Sequence, residues 1–312
     1  MDRTSTYYRQ VRLLVQLLPL VAEETCFALK GGTAINLFVR DLPRLSVDID
    51  LVYLPMQDRK EALQKIATAL SRIKQRIILA FPEAKVVEAY KNKPDAMRLV
   101  VSHQGVKVKI ELSPVLRGTV FKPKLQNVCE KVENEFGYAE IPVVALEDLY
   151  AGKICAALDR QHPRDIFDVM WLLKNEGFTD DIRKALIVYI ISHPSPIVEL
   201  LDIRYKDIKS LYQGEFLNMT ETKVSLEDLE TTRDKLTQLI GAGLSDDEKQ
   251  FLLTFKNMKP KWELLGLEGI ENLPAVKWKI KNLHNMSKDK HEAAYHKLEQ
   301  CLLINKSNTK DQ

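Results

Sequence analysis

Ser46-Val47-Asp48-Ile49-Asp50-Leu51 decides how this chain is read. On a β-strand, successive side chains alternate between faces. Ser46, Asp48 and Asp50 then share one face, and Val47, Ile49 and Leu51 point into a core. Two carboxylates about 7 Å apart on one face repel each other unless a cation sits between them. Mg²⁺ suits such a pair, because it takes few carboxylates and keeps room for waters and substrate phosphates. A polar strand facing solvent is the other reading of an isolated Asp-x-Asp.

The flanking segments bear on that choice. In Val106-Lys107-Val108-Lys109-Ile110-Glu111-Leu112 the alternation is strict, so Lys107, Lys109 and Glu111 share a polar face. If this strand neighbours the first, Glu111 is a third acid, as a two-metal phosphoryl-transfer site needs. Upstream, Lys30-Gly31-Gly32-Thr33-Ala34 separates an apolar strand at 26–30 from a helix expected at 33–40. Glycines let a backbone approach phosphate closely, and a helix start offers free N–H groups. A plain tight turn fits this stretch too.

The rest of the front half alternates elements. A stripe of Tyr7, Val11, Leu14, Val15 and Leu18 predicts an amphipathic helix over 5–22. A long helix is expected at 57–80, with Leu63, Ile66, Leu70, Ile73 and Ile77 inward, and a strand at 85–90. Strands at 97–102 and 106–112 flank His103-Gln104-Gly105 as a hairpin. After Pro142 helical patterns dominate. The expectation is an α/β domain with a mixed sheet at 25–128, preceded by an N-terminal helix (1–24). A connector (129–144), a mainly helical domain (145–306) across a cleft and a frayed tail (307–312) follow.

Composition narrows the class. The chain has 312 residues, 45% apolar and 29% charged, which is ordinary for a globular protein and too apolar for a disordered one. No apolar run approaches the ~18–20 residues of a membrane span, and the polar start does not read as a secretory signal. Four scattered cysteines without Cys-x-x-Cys suggest reduced thiols and a cytoplasmic protein. The histidines form no His-Glu-x-x-His pattern. Net charge is +3, but it divides into +9 over residues 1–128 and −6 over 129–312. A basic front half attracts polyanions.

In the back half, Lys153 and Arg160 are seven residues apart and fall nearly on one line of an apolar helix. A lysine there faces either a cleft with a bound anion or water. Pro163 suits the first turn of the next helix, where Asp165 and Asp168 share a face and Arg164 stands four residues before Asp168. Near the end, Lys277, Lys279 and Lys281 surround Trp278. That segment reads either as an RNA-phosphate contact or as a core tryptophan among solvated lysines.

Gly31-Gly32-Thr33, then Arg44-x-Ser46-x-Asp48-Ile49-Asp50-Leu51, then Glu111, resembles the nucleotidyltransferase superfamily signature. The spacing from Gly32 to Asp48 is similar to that of one branch, the AbiEii-type toxins of type IV toxin–antitoxin and phage-defence systems. Two further stretches resemble that branch. One runs from Leu146-Glu147-Asp148-Leu149 through Lys153 and Arg160 to Arg164-Asp165-Ile166-Phe167-Asp168; the other is 274–283.

The resemblance implies a metal-dependent nucleotidyltransferase that blocks translation by modifying an acceptor, tRNA first among them, and a separately encoded antitoxin. It implies Asp48, Asp50 and Glu111 as ligands of Mg²⁺ or Mn²⁺. Gly31, Gly32, Thr33, Ser46, Lys153 and Arg160 would hold the NTP, and Asp168 would complete the site. A nucleotide-binding regulator, or a transferase acting on a protein or small molecule, is the alternative.

Overall fold

The computed structural model of the chain describes residues 3–93, 95–220 and 222–307. Residues 308–312, most of the expected tail, lie outside the described residues. The chain forms two compact units, residues 1–145 with 214–223 and residues 146–213 with 224–312.

The first unit is built on a mixed sheet of seven strands among the described residues. They are β1 (Phe27–Lys30), β2 (Asp48–Tyr53), β3 (Lys85–Glu88), β4 (Arg98–His103), β5 (Val106–Leu112), β6 (Lys124–Asn127) and β7 (Glu140–Val143), in the spatial order β3-β4-β5-β2-β1-β7-β6. β2 runs parallel to β5 and antiparallel to β1, and β1 runs parallel to β7. The β4–β5 hairpin closes through Gln104 and Gly105, both at positive φ, as a two-residue turn between twisted strands requires. Alternation gives β5 a buried set, Val106, Val108, Ile110 and Leu112, which joins Leu99, Val101, Ile49 and Leu51 in the core.

Helix α1 (Thr6–Ala22) starts at Ser5, whose hydroxyl accepts from the Tyr8 N–H at 3.1 Å. Its inward stripe matches the expected one except at the start. Tyr8 rather than Tyr7 is buried, against Phe136. The helix expected at 33–40 is instead a single α-turn, α2 (Gly31–Ala34), running into a π-helical turn at Ile35–Val39. Helix α3 (Arg59–Ala80) is capped by Asp58, which accepts from the Glu61 N–H.

Three domain expectations need correction. Residues 129–144 are no connector. They hold α4 (Glu130–Phe136) and β7, whose buried Ile141 and Val143 belong to the first unit's sheet. α1 is not a separate element, because it packs on β5 and β7. Residues 214–223 leave the helical unit for the first. There Leu45 N–H donates to the Met219 carbonyl at 2.7 Å, and the Thr220 hydroxyl donates to the Pro43 carbonyl at 3.0 Å.

The second unit is helical: α5 (Leu146–Asp159), α6 (Pro163–Asn175), α7 (Asp180–Ser192), the short α8 (Ile197–Leu201) and α9 (Lys209–Leu211), α10 (Leu226–Gly243), α11 (Asp246–Lys256), α12 (Pro274–His284) and α13 (Lys288–Ser307). α5 is apolar nearly all round because α6 and α7 both pack against it. Complete capping boxes start α10 at Ser225 and α11 at Ser245. Among the described residues no helix is long and apolar enough to cross a membrane. The four cysteines are free thiols.

Candidate active site

Strand pairing brings the candidate residues of the first unit together. Residues opposite one another in a sheet share a face, so the register reads as a map. Asp50 pairs with Glu111 on β5 and with Lys30 on β1, and Asp48 pairs with Lys109. The expected adjacency of Glu111 to the aspartate pair is therefore realised. Lys30 and Lys109 flank the carboxylates on opposite sides. The map also reveals Arg98, whose guanidinium meets Glu111 at 3.0 Å from the neighbouring β4.

The glycine turn lies against the same carboxylates. Gly31 has φ +73°, in the left-handed region that glycine enters freely. A Cβ there would fall 2.5 Å from Asp50 Oδ2. A Cβ on Gly32 would fall 2.8 Å from Arg44 Nη2 and 3.0 Å from Ser46 Oγ. Gly31 is thus demanded by its backbone and by close approach, and a side chain on Gly32 would have to displace the Arg44 guanidinium. Arg44 is buried and donates to the Leu45 carbonyl at 2.8 Å, bracing the segment that leads into β2.

Thr33 departs from its expected role. It is fully buried, and its hydroxyl donates to the Asp48 carbonyl at 2.5 Å while lying 3.1 Å from Ser46 Oγ. It ties the glycine turn to β2 from inside the protein. Asp48 and Asp50 are half-buried, and Ser46 is nearly buried beside them.

The donor set fits a divalent ion through two carboxylates and ligand oxygens, the coordination Mg²⁺ favours with phosphates. Among the described residues no group of three or more His, Cys, Asp or Glu is arranged to hold a metal. Asp48, Asp50 and Glu111 are thus neighbours on one face without forming a closed cage, and Glu111 is engaged by Arg98.

The other expected site residues meet in the helical unit. Lys153 on α5 is 7% exposed, and its Nζ stands 2.8 Å from Asp165 and 3.1 Å from Asp168, each 1% exposed. Arg160, just beyond the end of α5, grips Asp165 through Nε at 2.5 Å and Nη2 at 2.9 Å. Burial alone would raise the Asp165 pKa. The Lys153 charge, with the Arg160 hydrogen bonds, outweighs it and holds the carboxyl well below the usual range. The anion expected opposite Lys153 is therefore supplied by the protein itself. Asp165, bound by both Lys153 and Arg160, is the hub of the cluster.

The 274–283 segment overturns one of its two readings. Trp278 is 49% exposed and is no core residue. Lys279 is the pinned group, donating to the His193 and Ser195 carbonyls at 2.6 and 2.8 Å. Burial, with repulsion from Lys256, brings its pKa down to about 8.

A pair of strand carboxylates on the solvated face of a mixed sheet, backed by a glycine turn and a third acid, is equipment for transfer of phosphorus-containing groups. The family described as "Nucleotidyl transferase AbiEii toxin, Type IV TA system" matches residues 12–282. The chain belongs to this family of nucleotidyltransferase toxins. Among solved structures it is similar to MenT4, a nucleotidyltransferase toxin from Mycobacterium tuberculosis H37Rv. The identity is 15% and the TM-score 0.60, over 91% of this chain and 95% of that one. At that identity the likeness speaks for the fold. The comparison with curated proteins gave no match.

Proposed function

We propose that the chain transfers a nucleotide from an NTP to a hydroxyl of an RNA acceptor, tRNA foremost, and that this modification blocks translation. The observation that carries the reading is the juxtaposition of Asp48, Asp50 and Glu111 on one sheet face, with the Gly31 backbone against Asp50. In the reaction the acceptor hydroxyl gives up its proton to solvent as its oxygen bonds to the α-phosphorus, and the bond from the α-phosphorus to the bridging oxygen breaks to release pyrophosphate.

Asp48 and Asp50 would hold the divalent ion, Mg²⁺ or Mn²⁺. When bound, the ion neutralises charge on the triphosphate and lowers the pKa of the attacking hydroxyl. Gly31 keeps a side chain out of the space beside Asp50, Gly32 leaves room for Arg44 and Ser46, and Ser46 offers a hydroxyl to phosphate. Glu111 is the third acid, held in the free protein by Arg98. Lys109 and Lys30 balance the negative charge that the carboxylates and phosphates bring together. The toxin class implies an antitoxin encoded separately.

Incubation with each labelled NTP and purified tRNA tests the reading. Label in tRNA from one NTP supports it. Label appearing only in protein or in a small molecule replaces the acceptor class, and nucleotide binding without transfer to any acceptor makes the chain a regulator.

A further inference from the structure

The register map extends beyond the carboxylates. Three rows of side chains run across the same face and together cover β3, β4, β5 and β2. The first is Lys85, Ser102 and Lys107; the second is Val87, Val100, Lys109 and Asp48; the third is Arg98, Glu111 and Asp50. Lys85, Lys107 and Lys109 are exposed, as is Val87, at 56%. On β3, β4 and β5 this face carries one acid, Glu111, and Arg98 neutralises it. Among the described residues no ion pair engages Lys85, Lys107 or Lys109. The opposite face of these strands is core.

We propose that this face of β3, β4 and β5 is the track on which the phosphate backbone of the RNA acceptor lies, with Lys109 the last cation before Asp48. The proposal rests on the transferase reading and locates its acceptor. Distance argues for a polymer over the nucleotide. Strands stand about 4.8 Å apart, so Lys85 is some 14 Å from β2, and Lys107 is about 7 Å along β5 from Lys109. A triphosphate seated at Asp48 and Asp50 does not span that field, whereas a chain of phosphates does. The sign agrees, since Lys85 and Lys107, which no ion pair among the described residues engages, can neutralise RNA phosphates and release the cations condensed on them. Val87 and Val100 lie between the cationic rows and give sugars and bases an apolar contact.

The test reads RNA binding without NTP and without turnover, so it stands apart from whether transfer occurs. Affinity of labelled tRNA is measured across a salt series for the wild-type chain, for Lys85→Gln/Lys107→Gln, and for a control that removes two exposed lysines elsewhere, Lys60→Gln/Lys235→Gln. The track variant should flatten the slope of log affinity against log salt by about 1.5–2, and should weaken binding by about tenfold or more near 100 mM salt. The control should keep the wild-type slope. In turnover, the track variant should raise KM for RNA and leave KM for NTP unchanged. Equal slopes for wild type and track variant, an equal loss in the control, or a loss confined to NTP binding would overturn the proposal.

Discussion

Asp50 leans over Gly31 so closely that a methyl group on residue 31 would stand 2.5 Å from its Oδ2. The glycine is required twice, by this approach and by its φ of +73°. Gly31→Ala should therefore cost about 1–2 kcal/mol of stability through the left-handed backbone. It should also displace the Asp50 carboxylate and lower kcat for nucleotide transfer at least tenfold, about the effect of a misplaced catalytic group. Thermal melting and kcat measured on the same preparation check both. A variant with wild-type kcat would show that Asp50 need not hold this position.

Lys153→Met is a test of the helical unit. From sequence alone, methionine looks tolerable on an apolar helix. The geometry reverses that expectation, because the substitution leaves Asp165 and Asp168 buried without the ammonium between them. Loss of one partner from a buried charge cluster costs about 3–5 kcal/mol. Lys153→Met/Asp168→Asn should recover part of it, since a buried carboxylate is removed with its cation. Chemical denaturation of wild type, single and double variants decides the point. A Lys153→Met chain as stable as wild type would refute the cluster's structural role.

Acid should destabilise the protein through identified groups. Burial would raise the Glu88 pKa, but hydrogen bonds from Lys74, Lys91 and Tyr90 prevail and bring it from 4.5 down to about 2. Asp165 is depressed in the same sense. A carboxyl depressed by folding contributes stability that is full above its unfolded pKa and is lost as pH falls through the folded one. Stability should thus decline from about pH 4.5 toward 2. Glu88→Gln should be less stable at neutral pH and show a shallower acid limb. Denaturation midpoints between pH 6 and 2.5 supply the comparison, and an acid limb equally steep in the variant would contradict the assignment.

Much of the first unit was legible because alternation is a strong signal. Val106 to Leu112 alternates without interruption, so its polar face, Glu111 included, followed from period alone. The neighbour relation of Glu111 and Asp50 is a matter of tertiary pairing, which the chemistry of a two-metal site and the resemblance suggested but alternation cannot supply. Thr33 entered as a nucleotide contact through the resemblance, and only the packed structure shows its hydroxyl turned inward. Residues 214–223 gave no warning that they return to the first unit. Their link is backbone pairing around Leu45 and Thr220 with one Thr220 hydroxyl bond to the Pro43 carbonyl, which leaves no periodic side-chain pattern. Lys153 was recognisable as unusual, but its partners lie on another helix, and the choice between an internal and an external anion is set by packing.

The central claim is that Asp48 and Asp50 carry the transfer chemistry, and Asp48→Asn and Asp50→Asn test it most directly. Asparagine keeps the shape of the side chain and removes the charge that holds a divalent ion. With labelled NTP, tRNA and Mg²⁺, each variant should lose transfer by about a hundredfold or more, with its melting temperature close to that of the wild type. Full transfer by both folded variants would contradict the account.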